Sequence, residues 1–286
     1  MRKPLSPGDI DALIHLLGDD DEGIVAHARR TLRSVGAAAT PYLEVASSAS
    51  GEAIIRDESR SVLEDIHVDG IEREWVALQA AEEGMALEEG AFLLERMIHP
   101  DRSRRITEAR DELKLLAAGA REAVPEMGAL ESRLDALRGY LHDACGFRGN
   151  RGNYYDPENS FFSSVIFRRT GIPITLALVY LAMGRRLSLP LHGIGMPMHF
   201  LVEYRDGREE RYLDPFYRGR EVTRGECLLL LERAGLEPAT VLQPSPVVAI
   251  LERMARNLVF VFHNSENAEG LRRAKRFLEV LTGDPA

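Results

Sequence analysis

Residues 146–204 read GFRGNRGNYYDPENSFFSSVIFRRTGIPITLALVYLAMGRRLSLPLHGIGMPMHFLVEY. The opening part is punctuated by Gly, Asn, Asp and Pro, the composition of a long structured loop. Residues 160–169 have the spacing of a short amphipathic helix. TGIPITLALVYLAMGRRLSL is apolar nearly all round, which predicts a helix buried in the core. Pro173 suits the opening of that helix, because proline at a first helical position gives up no hydrogen bond and presets φ. Residues 191–196 and 199–204 have β-forming composition, and RDG turns the chain into EERYLDPF. Helix, strand, strand, strand predicts a small antiparallel sheet packed on a buried helix.

Upstream, residues 9–17 place Ile10, Leu13, Ile14 and Leu17 at helical spacing, and the acidic turn GDDDEG restarts into IVAHARRTLRSVG. That pattern predicts a helix, a tight turn and a second helix. Ile24, Ala28, Arg29 and Leu32 find Ile55, Ser59, Arg60 and Leu63 at a constant offset, the mark of a helical repeat. Residues 31 apart in this way resemble HEAT-type repeats. From about Ile71 to Leu141, WVALQAAEEGMALEEGAFLLERMI and RSRRITEARDELKLLAAGA predict two or three further amphipathic helices, with breaks at Pro100–Asp101 and Pro125–Gly128. The expected organisation is a repeat segment over 1–68, a helical layer over 69–144, the core over 145–225 and a helical hairpin over 226–286.

At 286 residues the chain is long enough for about two domains and a substantial core. Apolar residues are 45% and charged ones 28%, and no apolar run reaches the roughly 20 residues of a membrane span. Acidic residues follow the basic N-terminus before any signal-length apolar stretch forms, so the expected address is cytoplasmic. Cys145 and Cys227 stand far apart without a CxxC partner, which excludes a disulfide framework and argues against structural zinc. The net charge of −9 opposes a chain-wide grip on nucleic acid. Only residues 145–225 carry a positive balance, 12 basic against 8 acidic, scattered as a solvated face would be.

A buried helix beginning after Gly171, His199 opening one strand and Asp214 ending the next form the order that a Cys-His-Asp acyl-transfer site requires. There a thiolate at a helix N-terminus is the nucleophile, the imidazole takes its proton and the carboxylate fixes the tautomer. The motifs at Gly146 to Asn150, Tyr154 to Phe161, Gly171 to Leu176, Gly193 to Phe200 and Asp214 to Phe216 resemble the SirB-type transglutaminase-like proteins of bacteria. The resemblance covers residues 145–220 and, more loosely, the helices from about 72 onward. It extends to RNLVFVFHNSENAEGLRRAKRFLEVL, which looks like a tetratricopeptide-like hairpin. It implies an α+β, mainly helical fold with a transglutaminase-like, papain-like core, and His199 and Asp214 as a catalytic dyad.

The same resemblance puts Pro173 where the nucleophilic cysteine would stand, and proline is no nucleophile. Thr175 near the helix start, Cys145 folding back from before the loop, or a water activated by the dyad could each supply one. Otherwise His199 and Asp214 are a buried structural pair. Arg148, Asn150 and Asn159, with Thr175, are pocket candidates, although loop-fixing hydrogen bonds are the more common use of such polar loop side chains. His192 and His199 lack further ligands at metal-binding spacing. GFRGNRG lacks the ending of a phosphate-binding loop, so its glycines read as turn formers. The expectation is a non-catalytic transglutaminase-like module that binds a protein or peptide, without cofactor, membrane or nucleic-acid partner. The alternative is a hydrolase or amidase using the dyad as base with Cys145 or water.

Overall fold

The computed structural model describes residues 5–79, 83–207, 209–236 and 242–283. The chain divides into two compact units, Met1–Glu74 and Trp75–Ala286. The division falls within one continuous helix, so no break in the backbone marks the boundary expected at residue 68.

In the first unit, helices Pro7–His15 (α1), Glu22–Val35 (α2), Thr40–Ala49 (α3) and the first part of Ala53–Leu78 (α4) follow one another. Ser6 and Asp9 cap α1 reciprocally, each side chain accepting the other's backbone N–H. The Asp21 carboxylate caps α2. Ile10, Ile14, Leu17, Ala28, Leu32, Leu43, Ile55 and Val62 share one core. The internal repeat is kept in part: Ala28 and Ser59 are both fully buried, but Ile24 is exposed where Ile55 is buried.

In the second unit, Glu83–Ile98 (α5), Ser103–Ala123 (α6) and Leu130–Gly139 (α7) come first. Residues 80–82, inside the long periodic stretch read as one helical pattern, lie outside the described residues. Helix α7 runs on through a wide π-type turn, Tyr140–Ala144. Next are Phe162–Arg168 (α8) and Pro173–Arg186 (α9). Helix α8 was expected to be amphipathic, yet Phe162 through Ile166 are all buried. Pro173 is indeed the first residue of α9, and every side chain from Pro173 to Tyr180 is buried.

The sheet has four antiparallel strands in sequential order, Leu191–Met196 (β3), His199–Arg205 (β4), Glu210–Asp214 (β5) and Arg220–Val222 (β6). The last of these was not foreseen. Two further short strands, Arg148–Gly149 (β1) and Thr170–Gly171 (β2), pair in parallel, so the sheet structure is not solely antiparallel. On one face Ile194, Met196, Leu201, Tyr212 and Val222 form a core with Cys227 and Leu231 of Arg224–Arg233 (α10). On the other face α9 packs against β3 and β4, and Leu191 lies directly over Gly184. Helices Val247–Asn264 (α11) and Ala268–Thr282 (α12) form the expected C-terminal hairpin. It docks on α5, where Leu251 fills the space above Gly90 and Arg273 donates to the Ile98 carbonyl at 2.8 Å.

Buried polar ties order the long loop. His142, in the π-type turn, donates through Nδ1 to the Phe147 carbonyl (2.7 Å), and its Nε2 accepts from the Tyr180 hydroxyl (2.8 Å). This arrangement needs a neutral imidazole, and burial holds the His142 pKa below the ordinary histidine value. Further along, Glu158 takes Arg102 (2.6 Å) and the Ser164 hydroxyl (2.5 Å), while buried Glu95 accepts from the backbone and side chain of Ser163.

Gly149 shows why the loop carries glycine at that point: a Cβ there would stand 2.6 Å from the Phe216 carbonyl and ring. Gly149→Ala is expected to lower stability by about 2 kcal/mol, through overpacking against backbone. Gly152→Ala, where a Cβ meets nothing within 4 Å, should cost under about 0.5 kcal/mol. Urea unfolding of both variants reads the difference.

The depressed His142 pKa also predicts a pH dependence. The unfolded imidazole binds a proton more readily than the folded one, so this stabilisation is complete above the unfolded pKa and is lost as pH falls through the folded pKa. Between pH 7 and 5 the wild-type chain should lose more unfolding free energy than His142→Gln. Equal losses would remove His142 as the cause.

Candidate functional site

His199 opens β4 and Asp214 closes β5. Val202 pairs with Leu213 and Glu203 with Tyr212, so strict alternation places His199, Leu201, Tyr212 and Asp214 on one face of the sheet. His199 and Asp214 are then diagonal neighbours at its end, within reach of each other. The His199 Nε2 lies 2.8 Å from Asp214 Oδ2. A carboxylate only accepts, so Nε2 carries the proton, and Nδ1 is left outside this bond.

Asp214 has a second duty. Its Oδ1 accepts the backbone N–H groups of Phe216 (3.1 Å) and Tyr217 (3.3 Å), capping the 3-10 turn Pro215–Tyr217. Asp214 is buried, whereas the His199 side chain stays 22% exposed. The dyad is therefore formed, ordered and open to solvent on one side.

The β3–β4 turn, Pro197 and Met198, sets where His199 begins. Met198 has φ +55°, a left-handed conformation that costs an L-residue with a bulky side chain energy. Arg253 of α11 holds the turn closed: its Nη2 donates to the carbonyls of Met196 (2.7 Å) and His199 (2.6 Å), and its guanidinium lies 5.6 Å from the Phe200 ring centre. Burial pushes the Arg253 pKa down from its ordinary value. Arg253 was not legible in the sequence, because it lies more than fifty residues beyond the turn it secures.

Around the dyad stands an aromatic rim that also escaped the sequence reading. The rings of Phe216 and Tyr217 lie 6.4 and 6.2 Å from that of His199. Tyr154 packs on Phe216, Tyr155 on Tyr154, and Phe260 of α11 on Tyr155, with ring centres 5.3–5.8 Å apart. Arg151 lies over Tyr217 at 5.7 Å. Although packed on one another, Tyr155, Tyr217 and Phe260 remain 60%, 48% and 53% exposed. The only sequence signal was the doubled tyrosine of YYDP.

The start of α9 is joined to this site through the loop. Gly149 pairs with Gly171 and Asn150 N–H donates to the Gly171 carbonyl (3.0 Å), while Gly149 abuts Phe216. Three of the pocket candidates, Asn150, Asn159 and Thr175, are tied into the loop by hydrogen bonds. Buried Asn159 donates to the carbonyls of Asn153 and Tyr154 and accepts from Asn150, whose own carbonyl oxygen caps the Asn153 N–H. The Thr175 hydroxyl donates to the Asn159 carbonyl (2.7 Å) and accepts from the Ile172 N–H (3.2 Å). Fully buried and doubly bonded, it is not placed as a nucleophile. Arg148 points outward, its side chain reaching only the Gly146 carbonyl at 3.4 Å. Cys145 sits beside the Tyr140 hydroxyl, and no hydrogen bond joins it to His199. Among the described residues no group of three or more His, Cys, Asp and Glu side chains is placed to hold a metal ion, and no helix is long and apolar enough to cross a membrane.

A family model described as the transglutaminase-like superfamily matches residues 107–256. The chain belongs to the transglutaminase-like superfamily. A UPF0162 protein of Xylella fastidiosa strain Temecula1 is 36% identical over 176 residues, 58% of this chain and 62% of that relative. A UPF0162 protein of Vibrio cholerae is 34% identical over 135 residues, 47% of this chain and 49% of the relative. Human F-box only protein 21 is 34% identical over 150 residues, 50% of this chain and 24% of that protein. The chain thus spans less than two thirds of the length of these relatives, and no solved structure matches it significantly.

The superfamily match includes α9, the dyad and Arg253, and ends before Phe260. Within it, the Asp214 carboxylate holds three donors at once. Asp214→Ala removes the acceptor for His199 and two backbone N–H groups and should destabilise the chain by about 2–3 kcal/mol. Asp214→Asn keeps one oxygen to accept the Phe216 and Tyr217 N–H groups while its amide N–H faces His199, whose tautomer must switch to accept it, and should cost about half as much. Urea unfolding at pH 7 distinguishes them.

Proposed function

We propose that this chain is a non-catalytic transglutaminase-like module that presents its former active-site cleft to a protein or peptide segment. The observation that carries the reading is Pro173 at the first position of α9, where the resemblance to SirB-type proteins puts the nucleophilic cysteine. His199 and Asp214 are a residual dyad in this reading, with the base retained and nothing for it to activate covalently. Thr175 is occupied by the loop and Cys145 by the neighbourhood of Tyr140, which supports the absence of a substitute.

Binding is supported by the rim. Exposed rings of Tyr155, Tyr217 and Phe260 beside a half-open imidazole offer apolar contact area at low side-chain entropy cost, together with polar groups that orient an extended peptide. That the matched region is a quarter of human F-box only protein 21 supports a part that works within different chains. The N-terminal helices, read as HEAT-like, and the closing hairpin, read as tetratricopeptide-like, would contribute helical surfaces of their own.

A water-using hydrolase remains the second reading, favoured by one observation: the Nδ1 lone pair of His199 is free of the Asp214 bond and the ring is accessible. The deciding experiment incubates the full chain with a blocked glutamine dipeptide, with and without hydroxylamine, and measures ammonia and hydroxamate. The expected result is no release above that of His199→Ala. Release that depends on His199 in a folded chain would overturn the proposal. In parallel, peptides selected from a display library on the wild-type chain should lose at least about tenfold in affinity for a Tyr155→Ala, Phe260→Ala double variant. Unchanged affinity would remove the rim from the binding surface.

A further inference from the structure

Away from the dyad, a cavity of about 550 Å³ opens between the end of α6, the start of α7 and the end of α9. It is lined by Arg121, Arg133 and Arg186, by Glu126, and by the apolar Val124, Met127 and Leu187. Three guanidiniums against one carboxylate leave a surplus of two positive charges on the wall. The carboxylate holding Arg186, that of Glu88, is shared with Arg185, so that pairing leaves the surplus intact.

The donor inventory explains part of the cluster and leaves the rest without a task. Arg133 donates through Nε to the Pro125 carbonyl (2.9 Å) and through Nη2 to the Leu187 carbonyl (3.2 Å). Arg186 donates to Glu88 and to the Ala182 carbonyl (2.9 Å). The bond from Arg133 to the Leu187 carbonyl caps the end of α9, and the ion pair with Glu88 holds Arg186. They leave Nη1 of Arg133 and Nε of Arg186 with unspent N–H groups. Arg121, in the last turn of α6, makes no hydrogen bond or ion pair among the described residues, so only the helix dipole engages it. Met127, 87% exposed, stands at the same cavity as an uncovered apolar side chain.

We propose that this cavity is a binding site for a small organic phosphate, with the phosphoryl group held by Arg121, Arg133 and Arg186 and an apolar body against Val124, Met127 and Leu187. A doubly charged phosphate monoester matches the surplus of two charges, and the guanidiniums of Arg133 and Arg186, already held by their own bonds, meet phosphate oxygens with little further ordering. The cavity volume falls within the range of small-molecule sites. The site is independent of the dyad and of the proposed loss of catalysis.

The test titrates the full chain with phenyl phosphate and with inorganic phosphate at constant ionic strength, by calorimetry. Saturable binding of phenyl phosphate is expected, about tenfold tighter than inorganic phosphate because of the apolar wall. Arg121→Ala should weaken it about tenfold and Arg121→Glu abolish it, both variants keeping the wild-type urea midpoint because the side chain is exposed and unpaired. Arg104→Ala, a fully solvated arginine on α6, should change nothing. Sedimentation with phosphatidylcholine vesicles containing phosphatidic acid separates the soluble ester from a lipid headgroup, and no pelleting is expected. Absence of saturable binding, an equal effect of Arg104→Ala, or Arg121-dependent pelleting with the vesicles would each overturn the assignment.

Discussion

The N-terminal part of helix α9 has no solvent side. Every residue from Pro173 to Tyr180 is buried, so this part of the helix can exist only if other elements cover it all round. Strands β3 and β4 cover one flank, α5, α6 and α8 others, and the 3-10 turn after β5 meets it as well. The single polar end of Tyr180 must still be satisfied inside this shell, and His142 meets that need while it holds the Phe147 carbonyl. The loop before α8, the DPF turn and the sheet are thus located relative to one buried cylinder. The placement of His199 and Asp214 follows from it.

At the dyad the chemistry and the scaffold use the same atoms. One oxygen of Asp214 faces His199 and the other caps the turn that carries Phe216 and Tyr217, so the carboxylate aligns the imidazole and the aromatic rim together. Arg253 fixes the start of the imidazole's strand by closing the turn at Met198. The result is a preorganised base next to exposed rings, an arrangement suited to recognition whether or not a covalent step accompanies it.

What could be read in the sequence was whatever a local pattern encodes. The all-apolar run after Gly171, the Pro at its head and the alternating strands gave α9, β3 and β4 nearly to the residue, and the placement of His199 and Asp214 at strand ends followed. The parallel pairing of Arg148–Gly149 with Thr170–Gly171 was hidden, because two-residue strands have no periodicity. Arg253, Phe260 and the arginine-lined cavity were hidden for another reason: their partners lie tens of residues away, and only the packed helices bring them together. Asn150, Asn159 and Thr175 stand out in the sequence, and in the structure their side chains bond to the loop, with Asn159 and Thr175 fully buried there.

The double duty of Asp214 bears on how such a protein can drift over generations. A lineage no longer selected for acyl transfer can replace a cysteine at the head of α9 by proline with little harm, since that position carries no backbone hydrogen bond and favours proline's fixed φ. It cannot discard the aspartate so cheaply, because a fold-bearing turn would lose its cap. In such a drift the order of loss would be set by mechanics: the nucleophile is the expendable member, and the aspartate is kept by the turn it caps.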